Sequence, residues 1–165
     1  MIPLYRSRIP ALCAGSLLAL LAGCAVHKPA PAPAVKHAET VQCRAAPQGD
    51  ALIGTWLSVG REKGIAGQLR TLFVLHPDGT MAYAEQLVRG KRPPQGLDES
   101  GCWHREGQAL VLRTTQSNGA AVDLHDPIYV NRYAIVSQAG SALTLRGRDG
   151  VLKARRMPQG YRLPY

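Results

Sequence analysis

The sequence predicts an all-β fold, a compact antiparallel up-and-down barrel of about eight strands. Three observations support this prediction: the apolar segments are short, turn residues separate them at close intervals, and no segment carries a long helical period. Short loops join antiparallel neighbours, so the simplest topology is a meander. Closing the meander into a barrel removes its exposed edges. We expect one such domain over residues 43–165.

Alternating apolar and polar residues between the turns place the strands. They are expected near Ala51–Val59, Gln68–His76, Thr80–Arg89, Gly101–Arg105, Ala109–Thr115, Ile128–Gln138, Ala142–Arg146 and Val151–Arg155. The segment His76–Thr80 has the chemistry of a hairpin turn, because Gly79 can take a positive φ. Three further tight reversals are expected at Arg105–Gln108, Ala139–Ser141 and Arg148–Gly150.

The same alternation predicts which side chains point into the barrel. The inward positions include Met81, Tyr83, Glu85, Leu87, Leu110, Leu112, Leu143 and Leu145. Trp56 and Trp103 are expected to fill the core, each burying about 150–250 Å². Stacking of these rings on a ligand is the alternative.

Residues 1–23 have the plan of a secretory signal. Arg6 and Arg8 precede an apolar stretch that is shorter than the about 20 residues of a membrane-spanning helix. Its end, Leu21-Ala22-Gly23-Cys24, resembles the lipobox of bacterial lipoproteins. That resemblance implies a diacylglyceryl group on the Cys24 sulfur, cleavage before Cys24 and acylation of the new amino terminus, with palmitate as the expected chain. The alternative is an ordinary signal peptide with an accidental cysteine.

Residues 24–42 are expected to form a lipidated tether. Alternating Pro and Ala favour extended polyproline II and resist packing into a core. Ala25 and Val26 follow the cysteine, where an aspartate would favour retention in the inner membrane, so the resemblance implies an outer-membrane, periplasm-facing location. His27 and His37 lie in this segment, and metal capture there is the alternative to simple solvation.

Cysteine usage predicts one disulfide. If Cys13 leaves with the signal and Cys24 carries lipid, Cys43 and Cys102 remain to pair in the oxidising periplasm. Neither belongs to a Cys-x-x-Cys pair, and only His104 stands near Cys102, so a metal site has little support. A free or catalytic thiol is the other alternative, although no activating neighbour is visible.

Several short motifs resemble those of small bacterial lipocalin-like domains. They are Gly54-Thr55-Trp56, Phe73, Asp78-Gly79-Thr80, Gly101 with Trp103, Gly107 with Leu110, Tyr133 with Ile135, and Leu143 with Leu145. The chain lacks the long helix that lipocalins carry after their strands, so a compact calycin-type barrel is the expected form. A second resemblance is to periplasmic protease-inhibitor barrels, which combine a small barrel, a disulfide and a flexible amino-terminal arm.

The charge favours an anionic partner. The formal net charge is +9, and the loss of Arg6 and Arg8 with the signal lowers it by two to +7. Acidic lipid headgroups, lipopolysaccharide phosphates and wall polymers fit this charge, whereas the exported address and the absence of stacked aromatics disfavour nucleic acid. The candidate surface comprises Lys91, Arg92, Arg146, Arg148, Lys153, Arg155, Arg156 and Arg162. The alternative is that these cations only keep the outer strand faces soluble.

Two functions remain open at this stage. The first is a lipoprotein whose barrel binds a small hydrophobic or amphipathic ligand in the cell envelope. The second is a non-enzymatic interaction protein with a filled barrel, for which the cationic loop Gly90–Gly96 would be a contact surface rather than a lid. Enzymatic activity, a cofactor and a metal are not expected, because His125-Asp126 and His76 near Asp78 suit loops and turns, and no catalytic or phosphate-binding motif is present.

Overall fold

The computed structural model describes residues 41–61 and 64–164. These residues form strands and one 3-10 turn at Pro127–Tyr129, with no α-helix among them. The strands are β1 (Gly54–Gly60), β2 (Gln68–Leu75), β3 (Thr80–Val88), β4 (Gln95–Glu106), β5 (Ala109–Ser117), β6 (Ala120–Ala121), β7 (Val130–Ala139), β8 (Ala142–Arg146) and β9 (Val151–Met157).

Eight of these strands close into an antiparallel barrel. Pairing runs from β1 through β2, β3, β4 and β5 to β7, β8 and β9, and β9 pairs with β1 to complete the circle. The short β6 pairs only with β5. The prediction of an all-β, up-and-down barrel of eight strands is therefore confirmed.

Three observed strands start at other residues than predicted, and most strands end one or two residues from the predicted end. β4 starts at Gln95, because Gln95–Ser100 continues the ladder with β3 although this stretch is polar. β1 starts at Gly54, since a turn precedes it. β7 starts at Val130, because Pro127–Tyr129 forms a 3-10 turn whose cap, Asp126, accepts a hydrogen bond from the Ile128 backbone N–H.

The half of the barrel interior next to the β2–β3, β4–β5 and β7–β8 turns is filled with apolar side chains. Trp56 and Trp103 are almost fully buried there, which confirms their core assignment. The other buried members of this core are Leu52, Phe73, Leu75, Met81, Leu110, Leu112, Leu143, Leu145 and Ala154. The inward prediction for the leucines of β5 and β8 is thus confirmed.

Segment 43–53 and the β2–β3, β4–β5 and β7–β8 turns form one end of the barrel, which we call the closed end. Leu52 plugs it, and its carbonyl oxygen accepts a hydrogen bond from Trp56 Nε1 at 2.8 Å. Two features of the β2–β3 turn favour glycine at position 79. The φ of Gly79 is +82°, and a Cβ at this position would collide with the carbonyl oxygen of Arg44. The plug therefore sits against a turn that glycine alone fits well.

Two further links hold the plug segment to the strands. Cys43 is bonded to Cys102 of β4 across a Cα–Cα distance of 5.2 Å, which confirms the predicted disulfide. The carboxylate of Asp50 pairs with Arg105, with 3.0 Å between Arg105 Nε and Asp50 Oδ2. Burial opposes ionisation of Asp50, but the hydrogen bonds from Arg105 and Leu52 and the Arg105 charge outweigh it and lower the pKa of the carboxyl.

The carboxy-terminal segment 158–164 packs on the outer wall. Leu163 covers Leu57 and Leu72, which point away from the barrel interior and are buried by this contact. At its end, Gln86 Nε2 donates a hydrogen bond to the Pro164 carbonyl oxygen at 2.9 Å. The outer faces of β1 and β2 and the carboxy-terminal segment therefore form a second, smaller hydrophobic core.

Candidate functional site: the barrel mouth

The end of the barrel opposite the plug, here called the mouth, contains a cavity of about 690 Å³. The β1–β2, β3–β4, β5–β7 and β8–β9 connections surround this end. The cavity is lined by side chains from the mouth-side halves of the strands and by the ends of these connections. The lining includes Ser58, Leu69, Thr71, Tyr83, Glu85, Asn131, Tyr133 and Leu152. Its volume suits a small organic molecule.

Phe73 separates this cavity from the apolar core. Its ring makes edge contacts with Tyr83 and Tyr133, with centroid distances of 5.3 and 5.7 Å. Above it, the hydroxyl-bearing side chains of Ser58 and Thr71 are 5% and 1% exposed and form part of the cavity wall. The interior therefore changes from apolar to hydrogen-bonding along the barrel axis.

Two carboxylates belong to the hydrogen-bonding part of the interior. The Tyr83 hydroxyl donates to Glu85 Oε2 at 2.7 Å, and Thr114 Oγ1 donates to Glu99 Oε2 at 3.0 Å. Within the described part of the chain, neither carboxylate forms an ion pair. Glu85 lines the mouth cavity, so the cavity wall carries a negatively charged hydrogen-bond acceptor that has no ion-pair partner among the described residues.

The two tyrosines respond to this environment. Burial first, then the charge and hydrogen bonding of its neighbours, raises the pKa of Tyr83 well above its usual range. Burial and the nearby Glu85 and Glu99 charges raise the pKa of Tyr133 to about 12. Both phenols therefore stay protonated at neutral pH and can take part in hydrogen bonds with a guest.

A larger groove of about 920 Å³ lies outside the barrel wall. It runs between the carboxy-terminal segment and the outer faces of β2, β3 and β4, with Leu72, Val74, Tyr161 and Leu163 among its lining. Part of this surface is already covered by the chain's own terminus. We therefore place the candidate ligand site in the mouth, which has an inward-facing polar wall.

The eight predicted surface cations are all exposed, but they do not form one surface. Lys91, Arg92 and Arg148 lie on mouth connections, whereas Arg156 lies at the closed end. The Arg156 guanidinium stacks 4.1 Å from the centroid of the Trp56 ring and donates to the carbonyls of the plug segment. The other four lie on β8, β9 and the carboxy-terminal segment: Arg146, Lys153, Arg155 and Arg162.

Other sequence candidates lie apart from the mouth cavity or outside the described residues. Asp78 accepts hydrogen bonds from the backbone N–H and hydroxyl of Thr80, so it shapes the hairpin turn beside His76. His125 lies in the β5–β7 connection, where its backbone N–H donates to Asp123. Cys24, His27 and His37 precede the described residues.

The described part of the chain contains no candidate metal cluster and no candidate membrane-spanning helix. No group of three or more His, Cys, Asp or Glu side chains there could hold a metal ion. Likewise, across residues 41–61 and 64–164, no helix has the length and apolarity needed to cross a bilayer.

Two solved structures show a partial likeness to this one. A lipoprotein, YedD, from Klebsiella pneumoniae matches with a TM-score of 0.42 and 13% identity, over 74% of this chain and 86% of that chain. The Cpx pathway activator NlpE from Escherichia coli matches with a TM-score of 0.39 and 20% identity, over 68% of this chain and 49% of that chain. The match thus spans about half of NlpE. No protein-family model and no curated protein matches the sequence.

The sequence pointed to part of the mouth site only. Glu85 and Tyr83 were assigned to the inward face, and both line the cavity. Glu99, a neighbour of Tyr83 that does not itself line the cavity, was missed, because the first half of β4 is polar on both faces and gave no strand signal. The register Tyr83↔Glu99 places it beside the tyrosine, which only the β3–β4 pairing reveals.

Proposed function

We propose that this chain is a lipid-anchored, non-enzymatic protein of the bacterial outer membrane whose barrel mouth binds a small amphipathic molecule. The observation that carries the ligand proposal is the mouth cavity, whose wall combines aromatic and aliphatic surface with hydroxyls and the Glu85 carboxylate. A purely apolar guest would leave these polar groups without partners, which is costly in a partly buried site. An amphipathic guest satisfies both kinds of surface.

The lipobox supports the anchoring part of the proposal. Each buried CH₂ group contributes about 0.8 kcal/mol, so two or three acyl chains hold a domain firmly where one holds only marginally. The described barrel would then be tethered through residues 25–42. Such a tether would let the domain sample the envelope close to a lipid surface.

Replacing Cys24 by serine is expected to abolish lipid anchoring. Serine offers no thiol for the diacylglyceryl group, so the protein should leave the membrane fraction or accumulate as an unprocessed precursor. Fractionation of cells and the intact mass of the product measure the effect. Cys13→Ser, within the predicted signal, is the matched control and should be processed and anchored normally. Normal processing and membrane retention of Cys24→Ser would refute the lipoprotein assignment.

Filling the mouth is expected to expel the ligand. Ser58 lines the cavity and is 5% exposed, whereas Val136 on β7 lies outside the cavity lining and is 52% exposed. Ser58→Phe should therefore reduce the amount of co-purifying small molecule by at least about tenfold, while Val136→Phe should leave it unchanged. Native mass spectrometry, followed by extraction and mass analysis of the guest, measures both variants. Thermal unfolding of each variant checks that it remains folded.

The ligand proposal has clear opposing outcomes. A native protein that carries no guest and takes up none from an envelope lipid extract would overturn it. Equal occupancy in folded Ser58→Phe and wild type would place the guest elsewhere, with the outer groove as the next site to test. Crosslinking to one protein in the envelope, with an empty mouth, would support the interaction-protein alternative instead.

A further inference from the structure

The exposed apolar side chains of the barrel are concentrated at the mouth. Among the described residues, six large hydrophobic side chains are exposed, and five of them lie at this end. We call these five the mouth patch: Val59, Ile65, Ile128, Val130 and Val151. Ile128 is the most exposed, at 63%. The sixth, Val136, lies on β7 at a distance from the mouth connections.

The patch surrounds the cavity opening instead of forming one block. Val59, Val130 and Val151 contribute to the cavity lining at the ends of three strands. Ile65 lies on the β1–β2 connection and Ile128 on the 3-10 turn before β7. A protein partner normally requires a contiguous, shape-matched apolar surface. Separate aliphatic side chains around an opening suit a fluid partner better.

Cations are interleaved with the patch. Five exposed basic residues lie on the described parts of the mouth connections: Arg61, Arg89, Lys91, Arg92 and Arg148. The same parts carry three acidic residues, Asp123, Asp126 and Asp149. Two of these three, Asp123 and Asp126, accept hydrogen bonds from backbone N–H groups of their own turn. By contrast, the plug segment and the turns of the closed end contain one basic residue, Arg44, and two acidic residues, Asp50 and Asp78.

We propose that the mouth end docks directly on the surface of a bilayer that contains anionic phospholipid. The mouth patch would enter the headgroup region, while the surrounding arginines and the lysine contact phosphates. The inference does not require an occupied cavity. It adds an orientation to the tethered barrel, with the opening of the cavity facing the lipid from which an amphipathic guest would come.

The tether is long enough for this orientation. Cys43 lies at the closed end, so an anchored barrel must turn over to bring its mouth to the same bilayer. Eighteen residues, 25–42, separate Cys24 from Cys43. At about 3 Å per extended residue they reach farther than the roughly 30 Å height of a nine-residue strand.

Vesicle sedimentation of the lipid-free mature chain, residues 25–165, tests the proposal. This piece is expected to fold, because the closed ladder, the core and the disulfide all lie within residues 41–164. The probes are vesicles of phosphatidylcholine alone and of phosphatidylcholine with one quarter phosphatidylglycerol, in about 0.1 M salt. We expect binding to the anionic vesicles and at least about tenfold weaker binding to the neutral ones.

Variants separate docking at the mouth from a general attraction by net charge. The double variant Ile65→Ser with Ile128→Ser should bind anionic vesicles about tenfold more weakly, since two aliphatic side chains lose their burial in the headgroup region. Val136→Ser is the matched control and should bind like wild type. Lys91→Glu with Arg92→Glu should weaken binding, whereas Arg44→Glu with Arg155→Glu, the same charge change at the closed end, should have little effect.

Three results would overturn the docking proposal. They are absence of binding to anionic vesicles, equal losses for the mouth and the closed-end charge variants, and unchanged binding after removal of the two isoleucines. Ser58→Phe should still bind vesicles, because Ser58 lies inside the mouth rather than on its rim. A chain that docks but carries no guest would therefore refute the ligand proposal alone, and the reverse result would refute docking alone.

Discussion

Replacing Cys43 and Cys102 together by alanine is expected to lower the free energy of unfolding by about 4 kcal/mol. The bond closes a loop between residues 59 apart in sequence, and opening that loop returns conformational freedom to the unfolded chain. It also fixes the start of the plug segment to β4, so the loss should be felt at the closed end. Urea unfolding of the lipid-free mature chain, followed by tryptophan fluorescence, measures the change.

Reduced wild-type protein provides the control for the double variant. Both lack the same crosslink, so their unfolding midpoints should coincide once the thiols are kept reduced. Labelling of the denatured, unreduced protein should find no free thiol at either cysteine. Stoichiometric labelling, or a double variant as stable as oxidised wild type, would contradict the structural role of the bond.

The barrel could be predicted because its local signals agree with one another. The turn around Gly79 and the alternation in β3, β5 and β8 each specify one register and one inward face. The two tryptophans then have only the interior in which to bury their rings. The disulfide followed from the number of cysteines once Cys13 was assigned to the signal and Cys24 to the lipid.

The plug and the full extent of β4 could not be predicted in the same way. Leu52 is buried because Arg105 and Arg156 hold residues 50–53 by an ion pair and hydrogen bonds that join distant parts of the sequence, in addition to the local bond from Trp56 to Leu52. The first half of β4 is a strand because β3 offers it a ladder, not because its own side chains alternate. Both depend on tertiary pairing.

The candidate site was harder to predict from the sequence than the plug or β4, because a cavity is the space that the side chains leave unfilled. Tyr83 and Glu85 follow the same inward alternation as Met81, and nothing in the pattern shows that the space above Phe73 stays open. The concentration of exposed aliphatic residues at the mouth is likewise invisible in sequence. Ile65 and Val151 lie far apart along the chain and come to the same end of the barrel only when it closes.

Trp56→Ala is expected to lower the free energy of unfolding by about 3–5 kcal/mol, the usual range for removing a buried tryptophan. The side chain is fully buried, its Nε1 donates to the plug at Leu52, and its ring carries the Arg156 guanidinium. Trp56→Phe keeps most of the packing but leaves the Leu52 carbonyl without its donor, so its loss should be smaller, about 1–3 kcal/mol. Urea unfolding, followed by circular dichroism, measures both variants.

The same residue allows the coupling between the plug and the disulfide to be measured. Both features hold the segment 43–53 at the closed end, so breaking one should weaken the contribution of the other. Trp56→Phe combined with Cys43→Ala and Cys102→Ala should therefore cost less than the two losses taken separately. Val136→Ser, whose side chain is 52% exposed, serves as an uncoupled control in the same cycle. Strict additivity of Trp56→Phe with loss of the disulfide would show that the plug is held at Leu52 independently of Cys43.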